Sequence, residues 1–383
     1  MKSSAHEITI FGGGAAGLAC ALAAARLGAG VLLLESTERC GGTVGEALIH
    51  TIGGLFDDQG RFLNNGLPVE LAERLSRACE WTRKRRIGKT WVLNVDPEVY
   101  VKVISDWIAM TPNITVGYLT KVGDITINNG SVRKIDIYLN SEKYAISPAA
   151  VVDTTGSANV VRQIDVNLVS QGEAMGGFIV SLRGLDPDVL QFPKGIGVLR
   201  EIRSAVERGE LPVECGTTWL DTGVYPGEAY AKFSITNDEF DYTRMMQVAD
   251  SLRVWMRSLP GFENAYIHRY GKVGIRDAGR AKGQYCLTEQ DIIEGKRFDD
   301  TACLAAWPIE HWHTRQGISL EYLPPGHYYT IPMRCLQVTG YDNLWVAGKC
   351  LSAEPRAQAS ARVAGTCWAM GESVGRYIAE TLR

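Results

Sequence analysis

Ile8-Thr9-Ile10-Phe11 is a short apolar run of β-forming residues, and it passes at once into Gly12-Gly13-Gly14-Ala15-Ala16-Gly17. The alanine-rich stretch from Leu18 to Leu27 predicts a helix, Gly28 and Gly30 end it, and Val31-Leu32-Leu33-Leu34 predicts a second buried strand. Taken whole, Leu18 to Leu34 could pass for a membrane span. Arg26 and the glycine pair interrupt it, so helix, turn and strand is the better reading. Pro97 to Met110 predicts a helix with Val99, Val101, Val103, Ile104 and Trp107 available for burial. Ile114 to Ile146 alternates about an Asn128-Asn129-Gly130 turn and predicts a β-meander. Tyr242 to Arg257 predicts a further helix, and Pro324-Pro325-Gly326 marks a tight turn. No internal repeat or low-complexity segment interrupts the pattern.

The first glycines have a mechanical meaning. Gly12, Gly14 and Gly17 occupy the G-x-G-x-x-G positions between a strand and a helix. The first makes the tight turn, the second lets a pyrophosphate approach the backbone, and the third lets helix and strand pack closely. Ala15 and Ala16 open the helix, whose free N–H groups and partial positive charge suit phosphates. Glu35 ends the second strand, 18 residues past Gly17, where a carboxylate can accept from a ribose hydroxyl and repel a 2′-phosphate. Strand, glycines, helix, strand and acid in that order predict a dinucleotide site. They do not by themselves separate FAD from NAD.

Residues further along carry a resemblance. Glu35 to Gly42, with Arg39 and Cys40-Gly41-Gly42 before Thr43, resembles the acid-then-Gly-Gly extension of two-dinucleotide-binding-domain flavoproteins of the glutathione-reductase class. Ala149 to Asp153 followed by Thr154-Thr155-Gly156 is similar to that class's second motif. Asn343-Leu344-Trp345-Val346-Ala347-Gly348 resembles its strand along the flavin ribityl chain, although Lys349 stands where many relatives have Asp. Ser360-Ala361-Arg362-Val363-Ala364 resembles the opening of its final helix, which runs to about Glu380. More narrowly, Val273 to Arg280, Tyr285 to Asp291, Trp307 to Glu310 and Tyr329 to Leu336 resemble the FAD-dependent oxidoreductase family, collinearly over nearly the whole chain. The resemblance implies FAD as cofactor. It also implies binding roles for Arg39, Gly42, Thr43, Thr155, Gly156, Gly348, Arg362 and Val363.

The expected fold class is α/β: a three-layer Rossmann-like FAD-binding domain, parallel sheet plus β-meander, with an inserted mixed α+β substrate domain. The FAD domain is expected to be discontinuous, over 1–60, 90–165 and 330–383. Residues 61–89 form a helical excursion over the flavin edge, and 166–329 form the substrate domain.

At 383 residues the chain has length for two cores. A net charge of −3 gives no reason to expect a nucleic-acid partner. The one basic run, Arg83-Lys84-Arg85-Arg86 between Trp81 and Trp91, is expected to be a solvated turn. Nine scattered cysteines with no C-x-x-C pair suit reduced thiols, hence a cytoplasmic protein with no zinc site. With a strand expected from Glu7, no cleavable signal and no membrane partner are expected.

For catalysis, FAD is the electron sink, and the protein must place a C–H bond over N5 and manage a proton. His50, in Ile49-His50-Thr51, is similar to the His-Thr segment by which the succinate dehydrogenase class tethers flavin; packing in the core is the other reading, and non-covalent flavin is expected. Glu310 and His313, with His311, lie in Trp307 to His313; one of them could be a general base, and no third ligand suggests a metal. Arg276 and Arg280 suggest an anion site, or else a structural ion pair with Asp277, Glu289 or Asp291. The expected function is a dehydrogenase moving hydride from a small organic substrate, anionic if the arginines bind it, to FAD and on to an acceptor the sequence does not identify. A flavin monooxygenase or halogenase is the alternative, although only Tyr328-Tyr329-Thr330-Ile331-Pro332 stands for the halogenase signature; a flavin-binding protein without redox activity is a third. No second strand–GxGxxG–helix unit follows Gly17, so direct reduction by NADH or NADPH is not expected.

Overall fold

Five short runs form one parallel sheet, and the four that are apolar throughout, or nearly so, are buried along their length. In a computed structural model describing residues 6–172, 175–191, 194–236, 240–313 and 317–383, the order is Leu344–Val346, Ala150–Asp153, Ile8–Phe11, Val31–Leu34, Ile114–Gly117. Every pairing is parallel, and continuous apolar strands are what a sheet covered on both faces requires. Side chains alternate between two cores. Ile8, Ile10, Val31 and Leu33 pack with the helices Ala15–Arg26 and Ala364–Thr381. Phe11, Leu32, Leu34 and Val346 pack with Val132, Ile135 and Ile137 of a three-stranded meander, Lys121–Asn128, Ser131–Leu139 and Glu142–Ile146. The expected Asn129-Gly130 turn is present, with both residues at positive φ.

First and last helices approach closely at glycines. A Cβ on Gly371 would stand 2.0 Å from the Ala16 carbonyl oxygen, and one on Gly375 2.3 Å from that of Cys20. Only a missing side chain permits that distance.

The second domain is built on Met175–Arg183, flanked by Ala229–Thr236 and Tyr266–Tyr270, with Trp219–Thr222 at one edge and Gly274–Ile275 pairing alongside. Every pairing is antiparallel. Helices Lys194–Glu207 and Tyr242–Met256 contribute Ile202, Ala205, Val248 and Leu252 to its core. Leu287, Ile292, Cys303, Ile309 and Ile331 pack into the first domain's core instead.

Two local expectations change. Arg83–Ile87 is a strand paired with Thr90–Asn94, not a turn; Arg85 turns inward to Asp221 while Arg83, Lys84 and Arg86 face solvent. The C-terminal helix is two pieces, Pro355–Ala361 and Ala364–Thr381, broken at Arg362-Val363. Among the described residues no helix is long and apolar enough to cross a membrane.

Candidate functional site

The glycine loop and the seam between the two domains enclose a cleft of about 330 Å³. Its floor is Gly12, Gly14, Ala15 and Ala16. A Cβ on Gly12 (φ +106) would stand 2.5 Å from the Thr154 carbonyl oxygen, and one on Gly17 would stand 1.9 Å from that of Gly12. Gly17 therefore serves helix packing and does not line the cleft. Gly14 differs: a Cβ there would meet nothing nearer than Gly42 Cα at 3.9 Å, so it borders open space. The helix that starts at Ala15 has neither a side-chain cap nor an acid in its first turn. Its leading N–H groups are left for an anion.

Glu35 lies at the wall and holds the loop as well. One carboxylate oxygen accepts from Gly13 N at 2.7 Å, the other from Thr37 N at 2.9 Å and from the Ser36 and Thr37 hydroxyls. Beside it, Thr154, Thr155, Gly156 and Ser157 line the cleft. Buried Asp153 shapes that turn, accepting from Thr155 N and Oγ1, Val160 N and Val161 N. Burial pushes its carboxyl above the usual range, and those four donors oppose the shift. Gly156 N and Ala158 N donate to the Cys350 Sγ behind it.

The far end is cationic. Gly348 (φ +75), Lys349, Arg362, Ala364 and Cys367 line it with Lys272-Val273-Gly274-Ile275. Lys349 Nζ donates to the Ile275 carbonyl at 2.7 Å and has no carboxylate partner among the described residues. Burial, with Arg362 and Arg276 close by, pushes its pKa down. The last helix also starts without a side-chain cap, although Gly365 N donates to Gly53 O. Behind this wall sits Glu310. It accepts from Trp307 Nε1 at 3.0 Å and Trp312 Nε1 at 2.5 Å, with Arg362 at 3.6 Å. Burial alone would raise its pKa, but Arg362, Trp312, Arg276 and Trp307 hold it below the usual value. It is an anchor for two indoles and a guanidinium, not a base poised to take a proton.

Of the other residues singled out, Gly42 and Thr43 line the cleft. Val363 lies at the start of the last helix without lining the cleft. Arg39 borders a neighbouring hollow and is paired with Glu46 and Glu98. Arg280 is buried, with Nε on Asp277 at 3.0 Å and Nη1 on the Ala353 carbonyl; it takes the ion-pair role. His50 lies outside the cleft. It is fully buried, stacked on Tyr230 at 3.8 Å, with Nε2 near Thr222 O and Asp221. His311 lies on the strand Ile309–His313, and the side chain of His313 lies outside the described residues. No group of three metal-ligating residues occurs among the described residues.

Sequence reasoning passed over Thr37, Glu46, Thr154, Lys272 to Gly274 and Cys367 as lining residues. Thr37, Thr154, Val273 and Gly274 lie inside quoted motifs without having been given a role, whereas Lys349 was visible as a departure from the Gly-Asp pattern.

The family described as FAD dependent oxidoreductase matches residues 7–383. No curated protein matches the chain. Among solved structures it is similar to OxyS anhydrotetracycline hydroxylase from Streptomyces rimosus, at 12% identity and TM-score 0.53, covering 98% of this chain and 62% of that one. It thus spans under two thirds of that protein's length. A flavoprotein/dehydrogenase from Cytophaga hutchinsonii is 11% identical with TM-score 0.52, covering 98% and 79%. The flavin-dependent brominase Bmp2 is 12% identical with TM-score 0.50, covering 99% and 80%. At such identities the likeness is one of fold.

Proposed function

This chain belongs to the FAD-dependent oxidoreductase family, and from that premise we propose that it is a dehydrogenase of a small organic substrate, built on the glutathione-reductase-class plan. The residues present fit the cofactor. Gly14 leaves open space where a Cβ would stand, the uncapped N–H groups after it suit a pyrophosphate, and Glu35 and Thr37 stand where a ribose is held. Arg362, Lys349 and the uncapped last helix supply positive charge at the other end. FAD supplies the two-electron acceptor. The chain's own part is to bind and orient. Glu35 and Asp153 fix the loops, and Glu310 fixes the Trp307 and Trp312 indoles.

The observation that carries the dehydrogenase reading is the second domain's antiparallel sheet. Gly195-Ile196-Gly197, which resembles the start of another glycine loop, lies inside the helix Lys194–Glu207. Among the described residues the parallel sheet above is the one dinucleotide unit, and it serves FAD. Electrons then come from the organic substrate, with oxygen, a quinone or another carrier as acceptor. Anaerobic bleaching of the flavin across a panel of metabolites tests this; a protein bleached by no metabolite but rapidly by a nicotinamide would be a monooxygenase.

A further inference from the structure

We propose that Arg276 binds the substrate's carboxylate side-on, beside the Lys272 to Ile275 segment of the FAD cleft. The proposal rests on the reading of that cleft as the FAD site, and adds the chemical class of the substrate. Arg276 follows directly on Lys272 to Ile275, which line the cleft, without lining it itself. Its guanidinium stacks on Trp312, Cζ lying 4.1 Å from the ring centre, and Nη1 donates to the Gly176 carbonyl at 2.6 Å. Among the described residues no carboxylate lies within ion-pair distance of it. Glu310, the acid that acts on it electrostatically, is already held by Trp307, Trp312 and Arg362.

Charge bookkeeping isolates this one group. Arg276, Arg362 and Lys349 lie close enough to act on one another, and Glu310 acts on Arg276 and is itself held by Arg362. Lys349 and Arg362 line the cleft and face an anionic cofactor. Arg276 is left over. Burial and the nearby Arg362 lower its pKa to about 9, so it stays protonated at neutral pH. Arg276 is half-buried and has no counterion among the described residues, and a ligand carboxylate would supply one. Stacking on Trp312 fixes the plane, and Nη1 is taken by the Gly176 carbonyl. Nε and Nη2 form a fork that matches two carboxylate oxygens, which a spherical halide does not. Gly177 makes room for it: a Cβ there would stand 2.9 Å from Nη2.

The test titrates FAD-reconstituted protein with sodium acetate, acetamide and sodium bromide at constant ionic strength, following flavin absorption and tryptophan fluorescence. Acetate should bind saturably and about tenfold or more tighter than acetamide or bromide. Arg276→Met should abolish the acetate response, and Arg276→Lys should weaken it about tenfold because the fork is lost while charge remains. Gly177→Ala should weaken it too, with FAD content near one per chain throughout. Acetamide or bromide matching acetate, or Arg276→Met binding acetate unchanged, would overturn the proposal. Should the variants fail to fold, the comparison of acetate with acetamide in the unmodified chain still decides. Should the chain take up no FAD, the cleft reading fails on its own, and tryptophan fluorescence of the same chain with acetate still tests Arg276.

Discussion

Gly12, Gly14 and Glu35 are legible in the sequence because their roles are local: a turn, an open cradle and a strand end within one short stretch. Lys349, Arg276 and Glu310 were visible as residues, but not their partners, which come from distant segments. Lys349 reaches Ile275, Glu310 gathers Trp307, Trp312 and Arg362, and nothing in spacing announces either set. His50 shows the limit most sharply. Its neighbours in sequence are similar to a flavin tether, whereas its neighbours in space are Tyr230, Thr222 and Asp221. Burial, which Lys232 and Arg85 reinforce and Asp221 opposes, lowers its pKa to about 4. An exposed histidine titrates near 6.5, so the unfolded chain binds a proton that the folded chain refuses between those values. The stabilisation from neutral His50 is complete above about pH 6.5 and declines as pH falls toward 4, by up to about 3 kcal/mol. Urea midpoints of the native chain should therefore fall more steeply between pH 7 and 4.5 than those of His50→Gln; parallel curves would refute this. Flavin fluorescence should not remain with the denatured chain, since His50 is stacked away from the cleft.

Strands and helices were readable where a local period or punctuation set them. The Ile8–Phe11, Val31–Leu34 and Ala150–Asp153 runs were apolar throughout or nearly so, and Asn129-Gly130 fixed the hairpin. The basic run misled because four charges in a row suggest a turn, whereas pairing with Thr90–Asn94 makes it a strand and Asp221 gives Arg85 an inward partner. The contact of first and last helices was invisible for the same reason: Gly371 and Gly375 are meaningful only against Ala16 and Cys20. Gly371→Ala should cost about 1–3 kcal/mol through overpacking, measurable as a lowered melting temperature. Because the displaced neighbour is the first turn of the glycine-loop helix, FAD affinity should fall with it. An unchanged melting temperature would mean the two helices are not this close. If the same helix N-terminus addresses the ADP half of the cofactor, as proposed, FAD should bind at about one per chain while FMN, which lacks that half, does not replace it. Equal uptake of FMN in equilibrium dialysis would contradict that role.

Two domains meet at the cleft, one built on a parallel sheet and one on an antiparallel sheet. The site draws its floor from the first and Lys272 to Ile275 from a segment leading into the second domain's edge strand. That division was legible as α/β with an insertion. The inserted sheet's pairing was not, since strand direction depends on connections between segments that local patterning does not encode. The pairing matters most for function, because an antiparallel second domain gives nicotinamide no dinucleotide unit of its own. The most direct measurement is anaerobic stopped-flow mixing of FAD-loaded protein with NADPH and NADH. The flavin should remain oxidised beyond seconds at every concentration. Saturable bleaching by NADPH within a second would contradict the dehydrogenase account and make the protein a monooxygenase.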